Sequence, residues 1–418
     1  MAFEKICILG LGYIGLPTAM AFASQGYQVL GVDTKPQRLA ALAQGQLHFV
    51  EKALEQAVQK VLKSAKLDLS EQAQPADAFV IAVPTPLTAE RQPDLSHIQS
   101  AAQMIAPHLA AGNLVVLEST SPVGTTEKLA DWLQALRPDL RFPHRHTDPN
   151  IHLAYCPERV LPNNVMVELF ENDRIIGGLS PACTQQAVAL YQIFARGQCL
   201  STQARTAEMC KLAENSFRDV NLAFANELSM LCDKLDVDVW ELTALANRHP
   251  RVNILQPGAG VGGHCIAVDP WFLAASHPEL TPLIRTARQV NDSKPQWVID
   301  KVKAALADCA ATQNCRLSDL TLACFGLTFK ADIDDLRESP ALAIAQRLSH
   351  WHPGKTLVVE PHITQLPQGL KAKLSPAEKA LKEADVVVLL VEHQAFLGLK
   401  PDQQWVVDVK GVWSHLET

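Results

Sequence analysis

The sequence predicts an α/β protein with two doubly wound parallel sheets joined by a central helical segment, and three observations predict it. Near the start, an apolar strand runs into Gly10-Leu11-Gly12-Tyr13-Ile14-Gly15, then a helical pattern, a second strand and an acid, Asp33. That is the order of a dinucleotide-binding βαβ unit. The same rhythm of strand, glycine, helix, strand and acid returns between Leu320 and Glu360, with a degenerate glycine turn. Between the two, Ser201 to His249 holds neither Gly nor Pro and repeats its apolar residues at threes and fours, as a helix does. Both end domains are therefore expected to be Rossmann-like, with segments at 1–200, 201–315 and 316–418.

In the first segment, strands are expected at Lys5–Leu9 and Gln28–Val32, with a helix from the glycines through Ala23. Gly10, Gly12 and Gly15 would make the tight turn and let backbone N–H groups meet a pyrophosphate at the helix start. A purely structural turn is the other reading. Asp33 would bond a ribose 2′-hydroxyl and repel a 2′-phosphate, which favours NAD over NADP, although Lys35 and Arg38 soften that preference. Further strands are expected at Ala78–Val83, Leu114–Leu117 and Ile151–Tyr155. They end in Pro84-Thr85-Pro86, Glu118-Ser119-Thr120 and Cys156-Pro157-Glu158-Arg159-Val160. Ligands of open α/β sheets sit at such carboxyl ends, which singles out Thr85, Thr120, Thr126, Glu158 and Arg159. Helix caps for the threonines and a surface ion pair for the other two are the plainer alternatives.

The middle segment carries Met209, Leu212, Phe217, Val220, Phe224, Leu228 and Leu231 at helical spacing, in one long helix or two. A long helix between two α/β units suggests a dimer interface. Lys211 and Asn215 share a helix face, extended by Arg218, as a functional or a merely solvated face. Then comes Gln256-Pro257-Gly258-Ala259-Gly260-Val261-Gly262-Gly263-His264-Cys265, with four glycines within six positions and Asp269 four residues beyond the cysteine. A helix starting near Cys265 would favour its thiolate and put Asp269 on the same face, as in an activated nucleophile. A buried cysteine beside a turn remains the alternative.

The last segment is expected to hold strands at Leu320–Phe325, Thr356–Val359, Val386–Val391 and Trp405–Val409 and a helix from about Pro340 to His350. Lys330 and Arg337 stand where phosphates would lie, or are solvated cations. Two nucleotide folds flanking one cysteine suggest two nucleotide-bearing ligands.

Composition bounds the rest. A length of 418 residues suits two or three domains, and 48% hydrophobic with 19% charged residues suits a globular protein with ample core. The net charge of −7 is spread along the chain without a basic cluster, which argues against a nucleic-acid or membrane surface. Ten cysteines include no C-x-x-C pair and no spacing for a metal site, so free thiols in a reducing compartment are expected. Ile6–Ala23 lacks the positive flank of a signal peptide, and no stretch is long and apolar enough to span a bilayer. A cytoplasmic location is the default.

Taken together, the motifs resemble those of the nucleotide-sugar 6-dehydrogenases, the UDP-glucose and GDP-mannose dehydrogenase family, over essentially the whole chain. The residues that carry the likeness are Gly10-x-Gly12-x-x-Gly15, Val83-Pro84-Thr85-Pro86, Ser119-Thr120, Pro157-Glu158-Arg159, Lys211-x-x-x-Asn215, Gly262-Gly263-His264-Cys265 with Asp269, Gly326-Leu327-Thr328-Phe329-Lys330 and Arg337-Glu338-Ser339. The runs Asn247–Asn253 and Ala267–Phe272 narrow it to a subgroup whose sugar is UDP-N-acetyl-D-mannosamine, with UDP-glucose or UDP-N-acetylglucosamine as alternatives and surface polysaccharide as the product's use. Ala259 and Asn163 depart from that subgroup, which uses proline and glycine there. The resemblance implies oxidation of C6 to a carboxylate with two NAD and a homodimer or dimer of dimers. It implies Cys265 as nucleophile, Lys211 and Asn215 at the oxyanion, and Asp269, Glu158 and Thr120 at the hydrolytic water. Tyr13, Ile14, Asp33, Thr85, Thr126 and Arg337 would serve NAD. Arg159, Val160, Lys211, Asn215, Arg218, His249, Arg251, Gly262, Phe329 and Lys330 would hold the UDP-sugar, with Arg251 acting across the dimer. A hydroxyacid-type dehydrogenase and a non-catalytic nucleotide sensor are the rival classes.

Overall fold

The structure, a computed structural model, describes residues 3–47, 51–160, 164–263 and 265–413; Asn163 and His264 lie outside them. Parallel strands covered on both faces must be apolar throughout, and the first strand, with Ile6, Cys7, Ile8 and Leu9 all buried, follows that rule. Strands β1 (Lys5–Leu9), β2 (Gln28–Val32), β3 (Leu67–Ser70), β4 (Ala78–Ile81), β5 (Leu114–Leu117), β6 (His152–Tyr155), β7 (Arg174–Gly178) and β8 (Cys199–Gln203) form an eight-stranded sheet. Its order is β3-β2-β1-β4-β5-β6-β7-β8. Every neighbouring pair is parallel except β6 with β7, so the last two strands run against the rest. The strand order reverses between β1 and β4, which is where an open α/β sheet leaves its crevice. A second, all-parallel sheet of five strands is ordered β11-β10-β9-β12-β13, with β9 (Thr321–Phe325), β10 (Lys355–Val359), β11 (Lys373–Leu374), β12 (Val386–Leu389) and β13 (Trp405–Asp408). Both folds are thus Rossmann-like.

The chain divides into two compact units. The first comprises residues up to Glu214 together with Trp271–Ser276; the second comprises Asn215–Pro270 and the chain from His277 onward. The Gly- and Pro-free run forms two helices, Ala204–Leu235 and Val239–Ala246, the second capped by Asp238, whose carboxylate accepts from Trp240 and Glu241 N–H. Residues ahead of the first helix form β8 instead. The unit boundary falls inside the long helix because Ala204 and Ala207 belong to the first unit's core.

The longest element of the second unit that is absent from the sequence expectations is the helix Pro282–Gln313; the short strand β11 and the helix Ala377–Glu383 are absent too. The interior Pro295 and polar composition of the long helix hide it. A buried polar ladder joins it to the helix Ala204–Leu235. Arg288 donates to Asp219 at 2.6 Å, Asn291 donates to Asp219 Oδ1 at 2.8 Å, Asn226 donates to Asn291 at 2.9 Å, and Lys294 donates to Ser229 at 2.5 Å. Lys294 is almost wholly buried over the Trp297 ring, 3.7 Å from its centroid.

Burial pushes the Lys294 ammonium down from 10.5 to about 7. Between those values the unfolded chain holds a proton that the folded chain has released, so this site's contribution to stability rises with pH across that window and its destabilising effect is complete below about 7. Lys294→Met is therefore expected to raise the melting temperature near pH 6, by an amount worth up to a few kcal/mol, and to raise it much less near pH 10. Calorimetry of both proteins at the two pH values checks this; an equal shift at both would contradict it.

Candidate active site

In the first unit, β1 ends at Leu9 and the chain turns through Gly10 at φ +91°. A Cβ there would meet Ala82 O at 2.6 Å, and one at Gly15 would meet Gly10 O at 1.9 Å, so both positions require glycine. Gly12 has open space around it. The helix Gly15–Ser24 that follows has no side-chain cap and no acid in its first turn. Its N-terminus, with Tyr13 and Ile14 half-buried on the approach, suits an anion. Asp33, at the end of β2, accepts from Leu11 N–H at 3.0 Å, Lys35 N–H at 3.0 Å and Arg38 at 2.6 Å. The uncapped helix, the open Gly12 and the carboxylate together fit a dinucleotide.

At the ends of β4 and β5, Thr85 donates to Thr120 O at 2.5 Å and Ser119 donates to Val83 O at 2.7 Å, which joins the two segments. Thr126 is fully buried. Its amide and hydroxyl both donate to Glu208 at 2.8 and 2.7 Å, and Gly124 N–H donates to the same carboxylate at 2.5 Å. Glu208 thus caps the helix Thr125–Leu136, which has no side-chain cap of its own. Sequence reading missed Glu208, since a carboxylate that caps a distant helix has no local signature.

After β6, the buried Glu158 accepts Arg159 N–H at 2.6 Å on Oε1 and Arg174 at 3.1 Å on Oε2. Its carbonyl accepts from Lys211 Nζ at 2.6 Å. Arg159 reaches Glu214 at 2.9 and 3.1 Å and Asp173 O at 3.1 Å, beside a cavity of about 300 Å³. Val160 packs against the core.

In the second unit, the regular helix begins at Asp269, not near Cys265. Asp269 N–H still bonds Cys265 O at 2.8 Å and Val268 N–H bonds it at 3.1 Å, so one turn links the pair. Cys265 is exposed; Asp269 is buried and accepts the Asn215 amide at 2.5 Å. The preceding glycine loop packs tightly. A Cβ at Gly262 would meet Glu338 O at 2.4 Å, and one at Gly263 (φ +82°) would meet the Phe329 ring at 2.9 Å. Asn226 Oδ1 accepts Gly258 N–H at 2.9 Å and Lys410 donates to Pro257 O at 3.5 Å, two loop anchors the sequence reading missed. Lys330 is exposed, and Arg337 grips Asp335 at 2.6 and 2.8 Å. Asn247 closes residues 247–254 through two bonds with Ile254, at 2.7 and 3.0 Å, leaving His249 and Arg251 exposed; Arg218 is exposed on its helix. Among the described residues, Asp332, His362 and His393 bring potential metal-ligand atoms together. Asp332 N–H, however, donates to His393 Nδ1 at 2.9 Å and so occupies the lone pair a metal would need.

The chain matches the NAD binding, central and UDP binding domains described for the UDP-glucose/GDP-mannose dehydrogenase family over residues 4–195, 205–293 and 323–415. It is 57% identical to a UDP-N-acetyl-D-mannosamine dehydrogenase of Yersinia pestis, over 99% of this chain and 100% of that protein. It is 56% identical to an NDP-N-acetyl-D-galactosaminuronic acid dehydrogenase of Ralstonia nicotianae, over 99% and 97%. Among solved structures, a UDP-D-ManNAc dehydrogenase from Pyrococcus horikoshii superposes with a TM-score of 0.87 at 35% identity, covering 98% of this chain and 96% of that one.

The open space at Gly12 separates binding from folding. Gly12→Ala is expected to melt like the parent yet to raise the Kd for NAD about tenfold or more, because the added methyl meets the ligand and not the protein. Titration calorimetry beside a melting curve tests this; unchanged affinity would remove Gly12 from the site.

Proposed function

The chain belongs to the UDP-glucose/GDP-mannose dehydrogenase family, and from that premise we propose that it oxidises C6 of UDP-N-acetyl-D-mannosamine to the carboxylate through an adduct on Cys265. It is an NAD-dependent nucleotide-sugar dehydrogenase. Bound NAD supplies the hydride acceptor, one equivalent for each of two oxidations. The Cys265 sulfur adds to the C6 aldehyde left by the first oxidation, giving a thiohemiacetal. The second oxidation turns it into a thioester, and water then releases the acid and the free thiol. Lys211 donates to the developing oxyanion, assisted by the second N–H of Asn215. Asp269, Glu158 and Thr120 hold or deprotonate the water.

One observation carries this reading: an exposed thiol one backbone-bonded turn from a buried carboxylate that the Asn215 amide holds in place. Arg159, Val160, Arg218, His249, Arg251, Gly262, Phe329 and Lys330 are assigned to the nucleotide sugar. Tyr13, Ile14, Asp33, Thr85, Thr126 and Arg337 are assigned to NAD. The near-equal identity to relatives named for two different sugars favours one second reading, a different N-acetylhexosamine epimer as substrate. The organisation into 1–200, 201–315 and 316–418, supply of a surface polysaccharide and work in the cytoplasm belong to the same proposal.

A homodimer, or a dimer of dimers, is part of it too. On the helix Ala204–Leu235 the residues Phe217, Phe224 and Leu231, seven apart, are 70%, 51% and 52% exposed. Such a stripe is what a second copy of the helix would cover. The exposed Arg251 would then serve the partner's site.

Two measurements follow. The protein should reduce two NAD per UDP-N-acetyl-D-mannosamine, faster than with UDP-N-acetylglucosamine, UDP-N-acetylgalactosamine, UDP-glucose or GDP-mannose, and Cys265→Ala should lower kcat about a thousandfold. One NADH per sugar, or a fully active Cys265→Ala, defeats the mechanism. Separately, Phe217→Asp with Phe224→Asp should give a monomeric mass by light scattering where the parent gives at least a dimer. An unchanged mass locates the interface elsewhere.

A further inference from the structure

The first unit buries a charged cluster behind Glu158 that the reaction scheme does not use. Arg174, the first residue of β7, is 4% exposed. It donates to Glu158 Oε2 at 3.1 Å and to Leu169 O at 3.2 Å, and its other nitrogen lies 3.8 Å from Cys156 Sγ. Its guanidinium lies 5.0 Å from the ring centroids of both Tyr191 and Phe194. Tyr191, fully buried, donates its hydroxyl at 2.7 Å to Glu118 Oε1. The other oxygen of Glu118 accepts at 3.2 Å from Thr18, on the helix Gly15–Ser24 that follows the dinucleotide glycines. A continuous chain of contacts therefore runs from the cofactor helix through Glu118, Tyr191 and Arg174 to Glu158, whose carbonyl holds Lys211.

We propose that Arg174 is the positioning residue for Glu158, and that Glu118, held by Tyr191 and Thr18, sets how firmly Arg174 grips it. The proposal rests on the reading of Glu158 as a group at the hydrolytic water. The Arg174 guanidinium bonds one carboxylate, Glu158, and faces the second, Glu118, across Tyr191, whose ring it overlies and whose hydroxyl Glu118 accepts. Of the other titratable groups facing the guanidinium, burial pushes the Cys156 thiol up to about 12, the Tyr191 phenol well above its usual value and the Cys199 thiol up, so these three are neutral, while Lys211 adds its cation at the Glu158 carbonyl. Burial, and then the Glu158 charge, push the Glu118 carboxyl up to about 7, against the pull of Arg174, Tyr191 and Thr18. Below that pH, Glu118 is neutral and the guanidinium belongs to Glu158. Above it, a second anion draws on the same cation and loosens the grip.

The experiment is the pH profile of kcat for the full-length protein with NAD and UDP-N-acetyl-D-mannosamine, measured for the parent, Glu118→Gln, Tyr191→Phe, Arg174→Lys and Glu158→Gln. Melting curves verify that each variant folds. The ratio of kcat for Glu118→Gln over the parent is expected to rise severalfold as the pH passes through about 7. Tyr191→Phe removes a bond that lowers the Glu118 pKa, so the midpoint of that change in the parent background should move to higher pH. Arg174→Lys keeps the charge and loses the reach, and should lower kcat about tenfold with an unchanged KM for NAD. A flat ratio, or a midpoint that Tyr191→Phe leaves in place, overturns the role of Glu118. Parental kcat in Arg174→Lys overturns that of Arg174. Parental kcat in Glu158→Gln would instead sink the assignment of Glu158, an outcome distinct from the other two.

Discussion

The structure depends most on one small contact made twice: a carboxylate at the end of a second strand accepting the N–H of the residue after a turn glycine. In the first unit Asp33 takes Leu11 N–H at 3.0 Å; in the second Glu360 takes Leu327 N–H at 2.7 Å. Each glycine sits at positive φ, +91° at Gly10 and +88° at Gly326, and donates to the second strand, to Val32 O at 2.8 Å and Val359 O at 2.9 Å. The carboxylate neutralises the inward-facing amides, and the positive φ keeps the loop short enough to reach them. The two copies then diverge. The side chain that closes over Asp33 is Arg38, which keeps 22% exposure, whereas Glu360 is sealed by the fully buried His393 at 3.1 Å. Burial alone would raise the Glu360 carboxyl, yet the His393 ring and the amides outweigh it and hold it below the usual carboxylate range. The first acid can be offered to a ribose. The second is locked, and its loop serves as a wall on which the cysteine loop rests.

That wall explains the glycines better than flexibility does. Gly262 and Gly263 lie against Glu338 and Phe329 so closely that no side chain fits. The backbone groups this packing buries still need partners. Asn226 supplies one and Lys410 another, and Asn226 is itself fixed by Asn291 on the helix Pro282–Gln313. The polar ladder between the two long helices is thus continuous with the support of the loop. An amide left without a partner there would cost about 1–3 kcal/mol.

The sequence was legible where a local rule sufficed. β1 and β2 occur over the residues that periodicity picked, because a strand covered on both faces must be apolar end to end. The Gly10–Gly15 turn was legible because its backbone geometry admits little else. The helix Pro282–Gln313 was not: in its first half the buried face is built largely from Arg288, Asn291 and Lys294, and Pro295 separates that half from the apolar Val298, Ile299, Val302 and Leu306 that follow. The delayed helix start after Cys265 and the reversed direction of β7 were equally hidden, since neither turn geometry beyond the glycines nor strand direction leaves a mark in hydrophobic spacing. Glu158, Lys211, Asn215, Cys265 and Asp269 could be picked out as candidates, but Glu208, Lys410 and Arg174 could not. Each of those three acts on a residue far away in the chain, and alone each reads as an ordinary surface charge.

Arg174 shows why such residues need a reason other than stability. It sits within an aromatic cluster in which Phe194 meets Phe22 edge-on at 4.9 Å and Tyr191 at 6.0 Å. An apolar side chain would pack there at least as well. Removing a guanidinium from water is costly, and a buried ion pair often does no better than breaking even against hydrophobic residues of like volume. Its Nε finds no hydrogen-bond partner in this structure, which deepens the deficit. What an apolar replacement could not supply is direction. Arg174 holds one carboxylate oxygen of Glu158 while the Arg159 amide holds the other, so the carboxylate plane is fixed from two sides, and Lys211 is fixed on the same residue's carbonyl. At the reacting centre proposed for Glu158, geometry is worth more to a catalyst than the few kcal/mol an oilier core would add.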